Sequence, residues 1–167
     1  MIGRLWFAQL DIYDCMRRMA CLMSLRPDGF FRERLYILDF YFANSPMLHH
    51  TKMKIDVRSQ FRELRIPRPE KSFVTYPSAR LLFHQMEPVQ KDALSALLGK
   101  GLAQPVKDDP RVLSLSAEGR SLYDSKLRRH IDDHEIDLAT FLIEDFGPVG
   151  EDGMRALRES TGLRRAS

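Results

Sequence analysis

The side chains with the strongest claim to chemistry lie in His130-Ile131-Asp132-Asp133-His134-Glu135-Ile136-Asp137. On a helix, His130 and His134 stand one turn apart. That spacing lets two imidazoles chelate one ion, with Asp133 or Asp137 as a third ligand. The order is not His-Glu-x-x-His, since Ile131 and Asp132 follow His130. A helix face of acids and histidines reads first as a solvated surface, so no metal site is assigned. His49 and His50 follow Pro46 in a loop with no Cys or carboxylate cluster beside them and are read as polar loop residues. A second pattern is electrostatic: Lys54, Arg58, Arg62 and Arg65 recur at helical spacing and form a basic stripe. Such a face can neutralise phosphates or meet an acidic partner, although Asp56 and Glu63 nearby also allow an ordinary solvated helix. No activated nucleophile accompanies these groups. The serines lie in caps and strands without a Gly-x-Ser-x-Gly elbow, Cys15 and Cys21 sit on an apolar stripe with no His in their segment, and Gly99-Lys100-Gly101 is a helix end rather than a phosphate loop. The expectation is a protein that is not an enzyme and carries no cofactor.

The element that must organise the rest runs from Phe30 to Ala43 and is stopped by Asn44-Ser45-Pro46. Leu35, Leu38 and Phe42 make one stripe at helical spacing, and Phe31, Ile37, Phe40 and Tyr41 fill its flanks. A helix apolar on every side must be covered on every side. It is either the centre of the core or a face that a second chain covers, and Phe31, Leu35, Leu38, Asp39, Phe40, Tyr41 and Phe42 are the candidate partner interface. Asp28 is the expected N-cap, and Pro46 disfavours helix at Ser45. Asp39, the acid inside the run, needs a partner if it is buried.

Around this element, Asp11 is expected to cap a helix reaching Leu25, with Ile12, Cys15, Met16, Met19, Leu22 and Met23 inward and Asp14, Arg17 and Arg18 in water. A helix over 52–65 carries the basic stripe beside Met53, Val57, Phe61 and Leu64. The proline-rich stretch 67–77 reads as a connection, with a short strand at 72–76. Ser78 is expected to cap a helix to Met86, which Glu87-Pro88 breaks before a second helix with Val89, Ala93, Leu94, Leu97 and Leu98 on its apolar face. That helix ends at Gly99-Lys100-Gly101. Residues 102–107 and 111–116 form a hairpin around Asp108-Asp109-Pro110. Ser116 opens a long helix to Phe146, stopped by Gly147-Pro148, and a short helix at 152–160 precedes a frayed tail, 161–167. The expected organisation is an N-terminal helical unit, 1–66, a connection, 67–77, and a second unit, 78–160.

The chain's 167 residues and net charge of +3 permit a real core and only mildly favour nucleic acid. Two cysteines six apart on a helix point different ways and are not expected to pair. No stretch has the length of a membrane span and the N-terminus has no long apolar signal region, so a soluble, cytoplasmic protein is expected.

Helix, helix, Gly-Leu, hairpin, helix is the order of a winged helix. Leu97-Leu98-Gly99-Lys100-Gly101-Leu102 with Arg111-Val112-Leu113-Ser114-Leu115-Ser116-Ala117-Glu118-Gly119-Arg120 resembles the wing region of MarR-type regulators. The fold class is therefore mainly α with a small β wing, in winged-helix-like units with room for two in tandem. As a DNA reader this unit would offer Gln90 and Lys91 against Glu87 and Asp92, with an acidic wing tip at Asp108-Asp109 that repels phosphates. A dimeric MarR-type transcription regulator is the alternative reading.

Arg34-Leu35-Tyr36-Ile37-Leu38-Asp39-Phe40-Tyr41-Phe42-Ala43-Asn44-Ser45-Pro46-Met47-Leu48, preceded by the helix from Asp11, resembles the middle components of bacterial three-component ABC-ATPase systems. The small third subunit of Lamassu anti-phage complexes belongs to that group. The resemblance spans roughly the first fifty residues. It implies a non-catalytic assembly and regulatory subunit between a coiled-coil ATPase similar to SMC proteins and an effector, often a nuclease, which it helps restrain until foreign DNA is sensed. It carries no catalytic motif onto this chain, and any DNA contact would run through Lys54, Arg58, Arg62 and Arg65.

Overall fold

A computed structural model describes residues 7–71, 77–147 and 151–164. Its first helix, α1 (Ile12–Leu25), starts where expected: the Asp11 carboxylate accepts from the Asp14 amide at 2.9 Å. Pro27 disfavours helical geometry at Arg26 and ends it. Gly29 then turns at φ +88°, and a Cβ there would lie 2.6 Å from the Leu113 carbonyl oxygen, so only glycine fits this crossing.

Phe30 and Phe31 are not helical, contrary to expectation. They form β1 (Phe30–Phe31), which pairs antiparallel with Leu113 and Val112. The helix α2 (Arg32–Ala43) begins after them, with Phe31 in the N-cap position instead of Asp28. A sheet edge that offers backbone partners outcompetes two more residues of helix. After α2, Pro46 sits in the first turn of a 3-10 segment, Ser45–His50, which holds the paired histidines in a turn instead of a loop. A short surface helix, α3 (Ile55–Glu63), follows and buries only Phe61.

The next helix, α4 (Ala79–Gly99), is capped by Ser78, whose hydroxyl accepts from the Leu81 amide at 3.3 Å. It continues through Pro88, where a break was expected. An interior proline costs roughly 3 kcal/mol, and burial of Phe83, Met86, Gln90, Ala93 and Leu94 on both sides of it offsets that cost. Gly101, at φ +70°, turns the chain into the hairpin β2 (Ala103–Val106) and β3 (Asp109–Leu115). The expected hairpin is present, and β1 adds to it in a three-stranded antiparallel sheet of order β1-β3-β2.

Ser116 caps α5 (Ala117–Leu122): its hydroxyl accepts from the Gly119 amide at 3.0 Å and donates to the Gly101 carbonyl at 2.6 Å. A single long helix to Phe146 does not form. A wider π turn, Tyr123–Leu127, and a 3-10 turn, Arg128–His130, lead to extended backbone at Ile131. Asp132 and Glu135 then make a reciprocal capping box that starts α6 (Asp133–Phe141). A π turn over Leu142–Phe146 follows, and the last helix is α7 (Glu151–Thr161). The strand expected at 72–76 lies outside the described residues. The tail is anchored as far as it is described, since Leu163 is buried and Arg164 pairs with Glu87 at 2.8 Å.

Segments expected as separate units, 1–66 and 78–160, share one core. The α1 and α2 helices pack on α4 and α6, and β1 pairs with β3. The nine successive buried residues of α2, Arg34 to Phe42, are enclosed by these elements. Rings interlock edge to face, Phe40 on Phe83 with centroids 5.6 Å apart and Tyr41 on Phe146 at 5.3 Å. Each such buried side chain contributes roughly 1.5–3 kcal/mol. The protein is thus mainly helical with a small antiparallel sheet.

Candidate functional site

Two groups of charged residues stand in contrast, one sealed and one open. The sealed one is built around Asp39, which is fully buried and has the partners it requires. Arg18 donates from Nε to Oδ1 at 2.7 Å and from Nη2 to Oδ2 at 3.3 Å. Gln90 donates to Oδ2 at 2.9 Å and also to the Tyr36 carbonyl, and the Cys15 thiol reaches Oδ2 at 3.5 Å. Asp14 closes on the other side of Arg18. Burial works against the Arg18 charge, but the charge and hydrogen bonds of Asp39, joined by the charge of Asp14, together hold the guanidinium above its ordinary pKa. Burial, and then the Asp39 charge, push the Cys15 thiol up, so it stays protonated. Protonated and sealed, it is no nucleophile.

This centre revises two expectations. Arg18, assigned to the wet face of α1, is buried, and Gln90, a candidate base reader, is buried with it. Both signals were in the spacing. Arg18 lies between Cys15 and Leu22 on the apolar stripe, and Gln90 lies between Met86 and Leu94. The candidate partner interface is affected too. Leu35, Leu38, Asp39, Phe40, Tyr41 and Phe42 are covered by this chain's own elements, and Phe31 alone is partly accessible, with the Arg111 guanidinium 5.5 Å over its ring.

Another buried cation has a different solution. Arg34 donates from Nη2 to the carbonyls of Ile143 and Gly147, each at 3.1 Å, and stacks over the Phe30 ring. Burial, with the charge of Arg26, pulls it down to about 10. It ties the turn after α6 to α2.

The open site is a cleft of about 370 Å³ lined by His49, Arg58, Phe61, Arg62, Arg65, Ile66 and Arg68. Three members of the basic stripe, Arg58, Arg62 and Arg65, meet there; Lys54 is exposed at the N-cap of α3 and does not line it. Sequence reasoning missed Arg68 and His49. The first extends the basic spacing beyond the helix, and the second is brought in by the 3-10 turn. The walls are fixed by backbone contacts: His49 Nε2 bonds the Ile66 carbonyl at 2.7 Å, and Arg58 Nη2 donates to the Thr51 carbonyl at 2.9 Å. Phe61 forms the floor against the His49 ring, centroids 4.8 Å apart. Arg65 has a left-handed backbone, φ 53°, alone among the described non-glycine residues. Among the described residues, none of the four cleft arginines has a carboxylate within 4.0 Å.

The remaining candidates are dispersed. His130 ends the 3-10 turn and His134 belongs to α6, so the break at Ile131–Asp132 removes their one-turn alignment. No group of three or more His, Cys, Asp or Glu among the described residues is arranged to hold a metal. In the β2–β3 hairpin, Asp109 is engaged by Arg111 at 3.0 Å. A smaller apolar groove of about 200 Å³ runs beside Tyr13 and Met16 on α1 and Leu102, Leu115 and Leu122. Among the described residues no helix is long and apolar enough to cross a membrane.

A small, mainly helical protein with an open basic cleft and an apolar groove presents surfaces that a partner can cover. The comparison with known families agrees. A family model, the middle component 5 of ABC-three component (ABC-3C) systems, matches residues 4–166, and the chain belongs to that family. A middle component of such a system has protein partners. No curated protein and no solved structure matches the chain.

Proposed function

We propose that this middle component is a non-catalytic assembly and regulatory subunit of a cytoplasmic anti-phage complex of the Lamassu type. In this reading it bridges a coiled-coil ATPase similar to SMC proteins and an effector, a nuclease, and helps restrain the effector until foreign DNA is sensed. The observation that carries the reading is the family match across nearly the whole chain. The chemistry of the buried centre supports it: the Asp39 carboxylate and the Cys15 thiol are consumed in holding α1, α2 and α4 together. Because the α2 side chains are enclosed, partner contacts fall to the exposed faces of α1, α3 and the wing.

The topology supports a single winged helix as the scaffold. In this reading the order α1, β1, α2, α4, β2, β3, with strands arranged β1-β3-β2, corresponds to one such unit, and residues 44–78 are an insertion between its second and third helices. A DNA-reading role for α4 is disfavoured by the burial of Gln90.

Native mass spectrometry of the chain co-expressed with its operon neighbours tests the proposal. A stable complex with a large ATPase and a third protein is expected. A free homodimer that leaves its neighbours behind would overturn it.

A further inference from the structure

The geometry points to the cleft beside α3 as a phosphate-binding site that takes one nucleotide unit, either within a nucleic-acid strand or free. Arg58, Arg62, Arg65 and Arg68 converge on a space of about 370 Å³. That is at the small end of the roughly 300–1,000 Å³ typical of small-ligand sites. Several arginines elsewhere in this protein are paired with acids, Arg17 with Asp14 and Glu135, Arg18 with Asp39, Arg158 with Glu33 and Arg164 with Glu87, while the buried Arg34 is held by two carbonyls. In the cleft, Arg58, Arg62, Arg65 and Arg68 have no carboxylate within 4.0 Å among the described residues. Four converging cations repel one another, and an anion that enters relieves that repulsion.

The shape of the charge favours phosphate over an acidic peptide. A phosphate concentrates its charge on one tetrahedral group whose oxygens accept the planar forks of several guanidinium groups at once. Carboxylates on a peptide are spread along it and suit a dispersed stripe. The cleft is also organised in advance. Thr51 holds Arg58 and Ile66 holds His49. Arg65 takes the left-handed conformation common just after a helix C-cap, which turns the chain out of α3 toward Ile66 and Arg68. Lys54, exposed at the N-cap of α3, continues the basic surface beyond the cleft for a neighbouring phosphate of a strand.

The test uses the full chain and a short fluorescein-labelled single-stranded oligonucleotide, followed by fluorescence anisotropy, with ATP, inorganic phosphate and polyglutamate as competitors. Binding at about 50 mM salt is expected, weakening with a log–log slope near 0.7 per phosphate neutralised. The double variant Arg62→Gln, Arg65→Gln should lose about tenfold or more in affinity and show a shallower slope. Arg155→Gln, which removes an exposed pair with Glu159 on α7, should bind as the parent does. Circular dichroism checks folding, and if the double variant is unfolded, the single Arg62→Gln carries the measurement. Displacement by ATP at low concentration identifies a free nucleotide, and resistance to ATP identifies a strand; both support the site. No binding of oligonucleotide or ATP, parental affinity in the variant, or equally strong displacement by polyglutamate would each overturn it. Loss of this site with the multi-protein complex intact would leave the assembly reading standing, so the two can fail separately.

Discussion

Arg18 and Arg62 are the same residue on two helices of one chain, and their surroundings give them opposite uses. Arg18 is enclosed, and its guanidinium is shared between Asp39 and Asp14. Arg62 is exposed in a cleft with three more arginines and no carboxylate within ion-pair distance among the described residues. A cation taken out of water must bring its anion along, so the first arginine is committed to folding. The second keeps its hydration and its charge available. What separates a structural charge from a candidate binding charge is the presence of an internal partner, which neither residue type nor helical spacing states.

The strongest test of that contrast removes the internal partner. Asp39→Ala leaves Arg18 buried and uncompensated, and urea unfolding should show a loss of about 3–5 kcal/mol. Combining it with Arg18→Met should recover a large part of that loss, because the stranded charge disappears. A loss below about 1 kcal/mol in the single variant would break the comparison.

Next in size is a purely steric change. Gly119→Ala places a Cβ 1.9 Å from the Leu102 carbonyl oxygen, where α5 crosses the start of the hairpin. Thermal denaturation should register a cost of about 2 kcal/mol or more. An unchanged melting temperature would mean that this crossing is looser than the packing indicates.

An intermediate case is Glu33, half-buried, which receives two bonds from Arg158 at 2.7 and 2.5 Å. Those bonds outweigh burial and hold its carboxyl below the usual value. A depressed folded pKa contributes stability that is complete above the unfolded value, about 4.3, and fades as pH falls through the folded one. Arg158→Ala should therefore cost about 1 kcal/mol at neutral pH. The difference from the parent should shrink in acid below pH about 4, as followed by denaturant titration across pH.

The smallest stability effects are expected in the cleft. Arg62→Gln should change unfolding free energy by no more than about 0.5 kcal/mol. At Arg65, relief of left-handed strain is opposed by the extra chain entropy of glycine, so Arg65→Gly should be neutral to slightly stabilising, by up to about 1 kcal/mol. A marked destabilisation by either substitution would make the cleft arginines structural and erase the distinction from Arg18.

Local features were legible where local chemistry decides them. The Asp11, Ser78 and Ser116 caps, the end of α1 at Leu25 and the hairpin after Gly101 all follow from short-range hydrogen bonds and backbone preferences. Of three errors, two were settled by something distant in sequence and the third by a local cap together with burial. Phe30-Phe31 left the helix because β3 offers its edge. The α4 helix passed through Pro88 because packing on both sides outweighs a missing bond. The last long helix broke at Ile131 because Ile131 is buried while Asp132 and Glu135 form a local cap. At the candidate site, the stripe of Arg58, Arg62 and Arg65 was visible as a period. His49 joined it only through the turn after α2, and Arg68 through the chain's exit from α3.

By itself, the sequence determined that the protein is mainly helical, that α2 must be covered on every side, and that Asp39 must find a partner if enclosed. These follow from burial and desolvation, which depend on residue type and spacing alone. Only the tertiary structure decided that the chain covers α2 with its own helices, that Arg18 and Gln90 are the partners of Asp39, and that the basic residues of α3 close into a cleft. Those outcomes depend on which segments meet in space, and the free energy of such meetings belongs to pairs of residues far apart in the chain.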